Sequence, residues 1–319
     1  MTFNIKEDLI TKVAWLYYKE KLTQQDISAR VNISRQKVQR FLEKARDLEI
    51  VRFHVKNPYA NLLSIETELI EKYSLKDAVV VPYLSDGDNL LRRSFAKAGA
   101  SYLERIISQH NNSIVGLGWG NTTAYLADYF DSLPIKTKVE VVSLIGNLMT
   151  NVAMNPYIIA EKIANKLDAS FYNIWAPAIT QNKESADIFK SEQWINRVLQ
   201  IASKANIILF SVGEVSPSAS LFKMGYLSRE ELKRLREKGA VGDILSRFFN
   251  AQGELVDDEI HERVISIPID KLKEKEKIVI GVAGGPSKFD AIRGALNGKY
   301  INVLITDEDT AQRLCKSSF

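Results

Sequence analysis

The sequence predicts a two-part α/β protein: a helix-turn-helix domain over residues 1–57, then a larger domain over residues 58–319 built on a mostly parallel, helix-covered sheet. Three observations carry this prediction. Two short helical runs, each with a good N-cap, adjoin across Asn32. From Asp77 onward, apolar β-branched runs of strand length alternate with amphipathic helical runs, the pattern of a parallel sheet buried on both faces. The charge is also unevenly divided: residues 1–57 hold 12 Lys and Arg against 7 Asp and Glu, and the remainder of this net +4 chain is close to neutral. At 319 residues, two domains are the natural expectation.

The first helix is expected in KEDLITKVAWLYYKE, residues 6–20, where Leu9, Ile10, Val13, Leu16 and Tyr17 share a face. Trp15 and Tyr18 lie toward another face. In LTQQDISARVNISRQKVQRFL, Thr23 and Ser34 are N-cap candidates, and Asn32 tolerates the positive φ that a tight reversal needs. Ile27, Val31, Ile33, Val38, Phe41 and Leu42 give the two helices a common core, and Ala29 is small enough to let them approach. The second helix then presents Arg35, Gln36, Lys37, Gln39 and Arg40, donors suited to base edges and phosphates. Together with Thr23, Gln24 and Ser34, they are the candidate contacts to double-stranded DNA.

IVRFHV, residues 50–55, alternates as a short strand would, and Asn57, Pro58 and Tyr59 break the pattern at the domain boundary. Leu62, Leu63, Ile65, Leu69, Ile70 and Tyr73 then form a broad apolar stripe on a helix that could connect the domains or pair with its copy. In the sheet that follows, ligands are expected beyond the carboxyl ends of the strands.

Two glycine-rich turns there suggest an anion site. GLGWGNTT, residues 116–123, joins a strand to a helix: Gly118 and Gly120 permit close backbone approach, and Asn121, Thr122 and Thr123 open the helix with free amides and hydroxyls. GVAGGPSK repeats the arrangement, with Gly285 in the turn and Lys288 in the first helical turn. A cation there is misplaced on the helix dipole unless an anion is nearby. Asp243, after Gly242 in KGAVGDILSRFF, reads as the start of an apolar helical run, either capping it or accepting from ligand hydroxyls.

The same sequence excludes other chemistries. Cys315 is the only cysteine, the three histidines are scattered, and there is no HExxH, so neither an intrachain disulfide nor a catalytic metal is expected. No cofactor is expected. No apolar run reaches membrane-spanning length and the N-terminus lacks a signal-peptide core, which together point to a cytoplasmic protein without membrane contact.

With these residues in hand, the chain resembles the SorC family of bacterial sugar-responsive transcriptional regulators over nearly its full length. WLYYKEKLTQQDISARVNISRQKVQRFLEKA is similar to that family's DNA-binding segment, and KGAVGDIL, GVAGGPSK and GKYINVLITDEDTA to its C-terminal signatures. The nearest likeness is to the branch answering to phosphorylated autoinducer-2. The resemblance implies a sugar-phosphate-isomerase-like effector domain, a homo-oligomer (dimer or tetramer), and an operator released when a phosphorylated sugar binds. It places Gly118, Gly120, Thr122, Thr123 and Lys288 around the phosphate, with Asp243 facing hydroxyls. Asn147 stands where the family often has paired glycines, and Trp119 could narrow the pocket.

A non-enzymatic regulator, most simply a repressor, is the reading that follows. The alternatives are a ligand-dependent activator, or a sugar-phosphate isomerase or deaminase using Asp243 or Glu214 as base, for which no carboxylate and histidine constellation is present.

Overall fold

The computed structural model describes residues 5–48, 50–51, 60–82, 88–110, 112–131, 138–148 and 154–317. The chain divides into two compact units, Met1–Ala60 and Asn61–Phe319.

The first unit holds α1 (Ile5–Tyr18), α2 (Gln24–Val31) and α3 (Arg35–Asp47). Thr23 opens α2 through a reciprocal capping box: its Oγ1 accepts from the Asp26 amide and Asp26 accepts from the Thr23 amide, both at 3.2 Å. Asn32 ends that helix at φ +51°, and Ser34 Oγ accepts from the Lys37 amide at 3.3 Å to open α3. Ile10, Val13, Leu16, Ile27, Val38, Phe41 and Leu42 close the expected core. Ala29 is a correction: it is exposed, because two residues beyond Ile27 a helix has turned to its opposite side, and the small buried residues are Ala14 and Ala45. Trp15 is 58% exposed, while Tyr18 packs edge-on against Tyr17 at 5.0 Å. The remainder of the strand read at 50–55 and the break at Asn57–Tyr59 fall on residues 52–59, outside the described residues.

The second unit runs α4 (Ala60–Tyr73), β1 (Asp77–Val81), α5 (Asp88–Gln109), β2 (Ser113–Leu117), α6 (Asn121–Tyr129), β3 (Val139–Ser143), α7 (Pro156–Leu167) and β4 (Ser170–Tyr172). Then come α8 (Lys183–Ser191), α9 (Gln193–Ser203), β5 (Ile207–Phe210), β6 (Gly213–Glu214), α10 (Ser220–Lys223), α11 (Arg229–Glu237), β7 (Gly242–Ile244) and β8 (Arg247–Phe249). It closes with α12 (Ile260–Arg263), β9 (Ile278–Val282), α13 (Phe289–Asn297), β10 (Val303–Asp307) and α14 (Glu308–Lys316).

Seven strands form one parallel sheet in the order β1-β10-β9-β5-β2-β3-β4. Burial on both faces follows from the side-chain alternation: Ile207 and Leu209 of β5 enter one apolar cluster, Ile208 and Phe210 the other. Helix α4 belongs to this core through Leu62 and Leu69, leaving Leu63 53% exposed. Lys72 on α4 donates to the carbonyls of Leu314 at 2.7 Å and Cys315 at 2.8 Å and to that of Ser317, capping the end of α14.

β6, β7 and β8 make a separate antiparallel sheet. This corrects the helical expectation for residues 243–249. Leu245 and Ser246, at φ +51° and +61°, form a two-residue turn that folds the apolar run back on itself as a hairpin.

Candidate functional site

β9, β5 and β2 lie side by side in the centre of the sheet, and the chain segments leaving their carboxyl ends enclose a cavity of about 390 Å³. From β2 come Trp119, Gly120, Asn121 and Thr122; from β5, Ser211 to Glu214; from the loop after β9, Pro286, Ser287 and Lys288. The β7–β8 hairpin adds Asp243 and Leu245, the turn before α10 adds Ser218, and Arg92 and Lys223 complete the charged lining.

The β2 exit works as expected at one glycine and differently at the other. Gly120 sits at φ +140° and leads into α6 with no side chain of its own to cap the first turn, whose residues Asn121 and Thr122 line the cavity. Thr123 turns its Oγ1 back to the Gly120 carbonyl at 2.9 Å, behind the lining. Gly118 serves packing, since a β-carbon there would lie 2.6 Å from Phe210 Cβ. The other end of α6 is held by Lys166, which donates to the carbonyls of Ala127 at 3.1 Å, Asp128 at 3.3 Å and Phe130.

Lys288 ends a 3-10 turn over Pro286–Lys288, and its Nζ donates to the Val212 carbonyl at 2.8 Å and lies 3.5 Å from Ser211 Oγ. Gly285, at φ +92°, spends its amide on Asp307 Oδ2 and Thr310 Oγ1, so it shapes the loop from behind. The anion that Lys288 calls for is supplied in part by Glu214 and Asp243, both of which feel its charge.

Those two carboxylates differ in their chemistry. Asp243 is 5% exposed and accepts from the Ser246 amide at 3.1 Å; burial pushes its pKa up to about 6, against the pull of that amide and of Lys288. Burial also works against ionised Glu214, but hydroxyls of Ser287, Ser218 and Ser216 and the charge of Lys288 outweigh it and hold the carboxyl below its ordinary value. The site therefore offers helix amides and a lysine for an anion beside carboxylates for hydroxyls.

Of the eight sequence candidates, the structure brings Gly120, Asn121, Thr122, Asp243 and Lys288 to the lining, and sets Gly118, Thr123 and Gly285 behind it. Sequence reasoning placed Glu214 only as an enzyme base and missed Ser211, Ser218, Ser287, Arg92 and Lys223. One signal was present: SVGE follows a buried strand with a glycine turn, as GLGWG and GVAGG do. Trp119 does line the cavity, whereas Asn147 turns its Nδ2 to the Ile174 carbonyl at 3.1 Å and is not part of the lining.

On the first unit, Arg35, Gln36, Lys37, Gln39 and Arg40 are all exposed along α3. Gln39 bonds Glu43 at 3.3 Å, and Lys37 lies 5.7 Å from the centre of the Phe41 ring. Thr23 and Ser34 are engaged as caps, and Gln24 is half-buried in the first turn of α2. Among the described residues there is no group of side chains able to hold a metal ion and no helix long and apolar enough to cross a membrane.

The family described as "Putative sugar-binding domain" matches residues 57–316. The chain is 36% identical over 312 residues to the deoxyribonucleoside regulator of Bacillus subtilis (strain 168), covering 97% of each protein. It is 35% identical over 312 residues to the transcriptional regulator LsrR of Enterobacter sp. (strain 638), covering 96% of this chain and 92% of that one. Among solved structures it is similar to the full-length sorbitol operon regulator SorC from Klebsiella pneumoniae, with a TM-score of 0.75 and 28% identity over 97% of this chain and 100% of that one. These relatives are transcriptional regulators, not enzymes, which leaves the isomerase alternative without support.

Proposed function

Because the chain belongs to the SorC-type family of sugar-binding transcriptional regulators, we propose that it is a repressor whose hold on operator DNA is released by a phosphorylated sugar bound in this cavity. Residues 1–57 read the DNA and residues 58–319 bind the effector and assemble the oligomer. The observation that carries the effector half is the convergence of the α6 N-terminus and Lys288 on one wall with Asp243 nearby: donors for a phosphate, an acceptor for hydroxyls.

On the DNA side, α3 enters the major groove, with Arg35, Gln36, Gln39 and Arg40 at base edges and Lys37 on the backbone. Two such helices in a cytoplasmic homo-oligomer read palindromic half-sites. The effector acts by binding more tightly to the arrangement that does not fit the operator, since equal affinity for both would shift nothing.

The test is thermal stabilisation of the purified protein against phosphorylated pentoses, hexoses, polyols and autoinducer-2, with Lys288→Ala alongside. A ligand at 100 times its Kd adds about 2.7 kcal/mol. A shift seen with phosphorylated compounds, lost in Lys288→Ala, and matched by release of operator DNA is the expected result; a shift with the unphosphorylated sugars alone would sink the phosphate assignment.

A further inference from the structure

The cavity lining carries charges of both signs. A β-carbon on Gly120 would lie 3.2 Å from Ser211 Cβ, so Ser211 abuts the head of α6. From there the chain runs through Val212 and Gly213 to Glu214, three residues that span at most about 10 Å. Gly213 pairs with Asp243 across the small sheet and Glu214 with Gly242, which brings both acids to the segment that follows Ser211. The lining thus combines the head of α6 and Lys288 with two acids, both of which feel the lysine's charge.

Glu214 is built to stay an anion. Ser216 Oγ and Ser218 Oγ both donate to its Oε1, at 3.0 and 2.7 Å, and Ser287 adds a third hydroxyl from the loop after β9. A carboxyl receiving this many donors is held as the acceptor form, since a protonated one would itself have to donate. Ser216 Oγ also accepts from the Ser218 amide at 3.1 Å, which fixes the clamp to the main chain. Around the cavity, Arg92, Lys223 and Lys288 outnumber Glu214 and Asp243 by one charge, and a single phosphate dianion already exceeds that difference.

We propose that the cavity admits sugars carrying one phosphate and a neutral polyhydroxyl tail, and that Glu214, with Asp243, rejects a second anionic group at the tail. The inference rests on the phosphorylated-sugar reading of this cavity and adds the class of ligand and the residue that selects it. Tail hydroxyls donate to the two acids. A carboxylate or second phosphate there brings no donor and meets like charge, an example of selection by repulsion.

Calorimetry on the full-length protein with matched pairs tests this: fructose 6-phosphate against fructose 1,6-bisphosphate, glucose 6-phosphate against 6-phosphogluconate, and ribose 5-phosphate against its aldonic acid. The single-phosphate neutral member is expected to bind about tenfold tighter or more wherever a pair binds. Glu214→Gln is expected to shrink that ratio, and Ser218→Ala, which loosens the clamp and spares the carboxylate, to shrink it less. Equal affinity within the pairs, or a ratio unchanged in both variants, overturns the proposal while leaving the phosphorylated-sugar reading intact. Silence of every phosphorylated compound, neutral members included, removes that reading and this proposal with it.

Discussion

Asp243 is pressed against the backbone of Gly213: a β-carbon at residue 213 would stand 1.9 Å from Asp243 Oδ1. The carboxylate occupies that position only because residue 213 has no side chain, and its burial leaves it little room to retreat. Gly213→Ala is expected to displace Asp243, to cost about 1 to 3 kcal/mol of stability, and to remove effector-induced stabilisation. Operator binding by the variant should persist and no longer respond to effector. Wild-type induction in a gel-shift titration would show that Asp243 takes no part in the response.

The raised pKa of Asp243 makes a second expectation. A carboxyl whose folded pKa stands at about 6, above the ordinary 3.8, stabilises the fold at low pH and loses that contribution as pH rises through this window. Asp243→Asn does not titrate. The stability of wild type relative to this variant should therefore fall between pH 4 and pH 7, by about 3 kcal/mol at most. Urea unfolding at both pH values measures it, and a difference that stays constant would mean that the carboxyl titrates normally.

Lys166 gathers three carbonyls at the far end of the helix whose first turn faces the cavity. Lys166→Met keeps most of the aliphatic stem and leaves those carbonyls without their cation. A loss of about 1 to 2 kcal/mol is expected in chemical denaturation. Undiminished stability would mean that water replaces the lysine at no cost.

On α3, Arg40→Ala and Lys37→Ala should fail in different ways. Arg40→Ala is expected to cost about 1 to 3 kcal/mol at the operator and to relax preference at one base pair, while Lys37→Ala weakens all sequences alike and reduces the salt slope by about one. Anisotropy titrations against operator and scrambled DNA at two salt concentrations separate the two. Unchanged affinity in Arg40→Ala would contradict the proposed docking.

What was legible in the sequence was mostly what is local. Thr23, Asn32 and Ser34 declare two helix starts and a reversal through their own backbone chemistry, and each stands where its residue type demands. The parallel sheet was legible because β-branched runs such as IVIGV and VLITD have strand length and no polar face. The β7–β8 hairpin was not, because its turn is Leu245–Ser246, where the residues that usually mark positive φ are absent. Lys288 reads in the sequence as a cation in need of an anion, and Glu214, which feels its charge, stands 74 positions earlier in the chain. Nothing in SVGEVSPS tells that Ser216 and Ser218 turn back on Glu214, or that Ser287 joins them. Such convergence depends on the order of β9 and β5 in the sheet, which no local pattern encodes.

The clasp between Lys72 and the carbonyls ending α14 has a topological consequence. It ties the last turn of the unit's first helix, α4, to the end of its last helix, α14. Two terminal helices that meet can be joined by a linker running back along the first of them, and the path reopened at a surface loop, with little change to the interior. The unit should tolerate circular permutation, and by the same geometry it is a cartridge that can be spliced behind a different reading head.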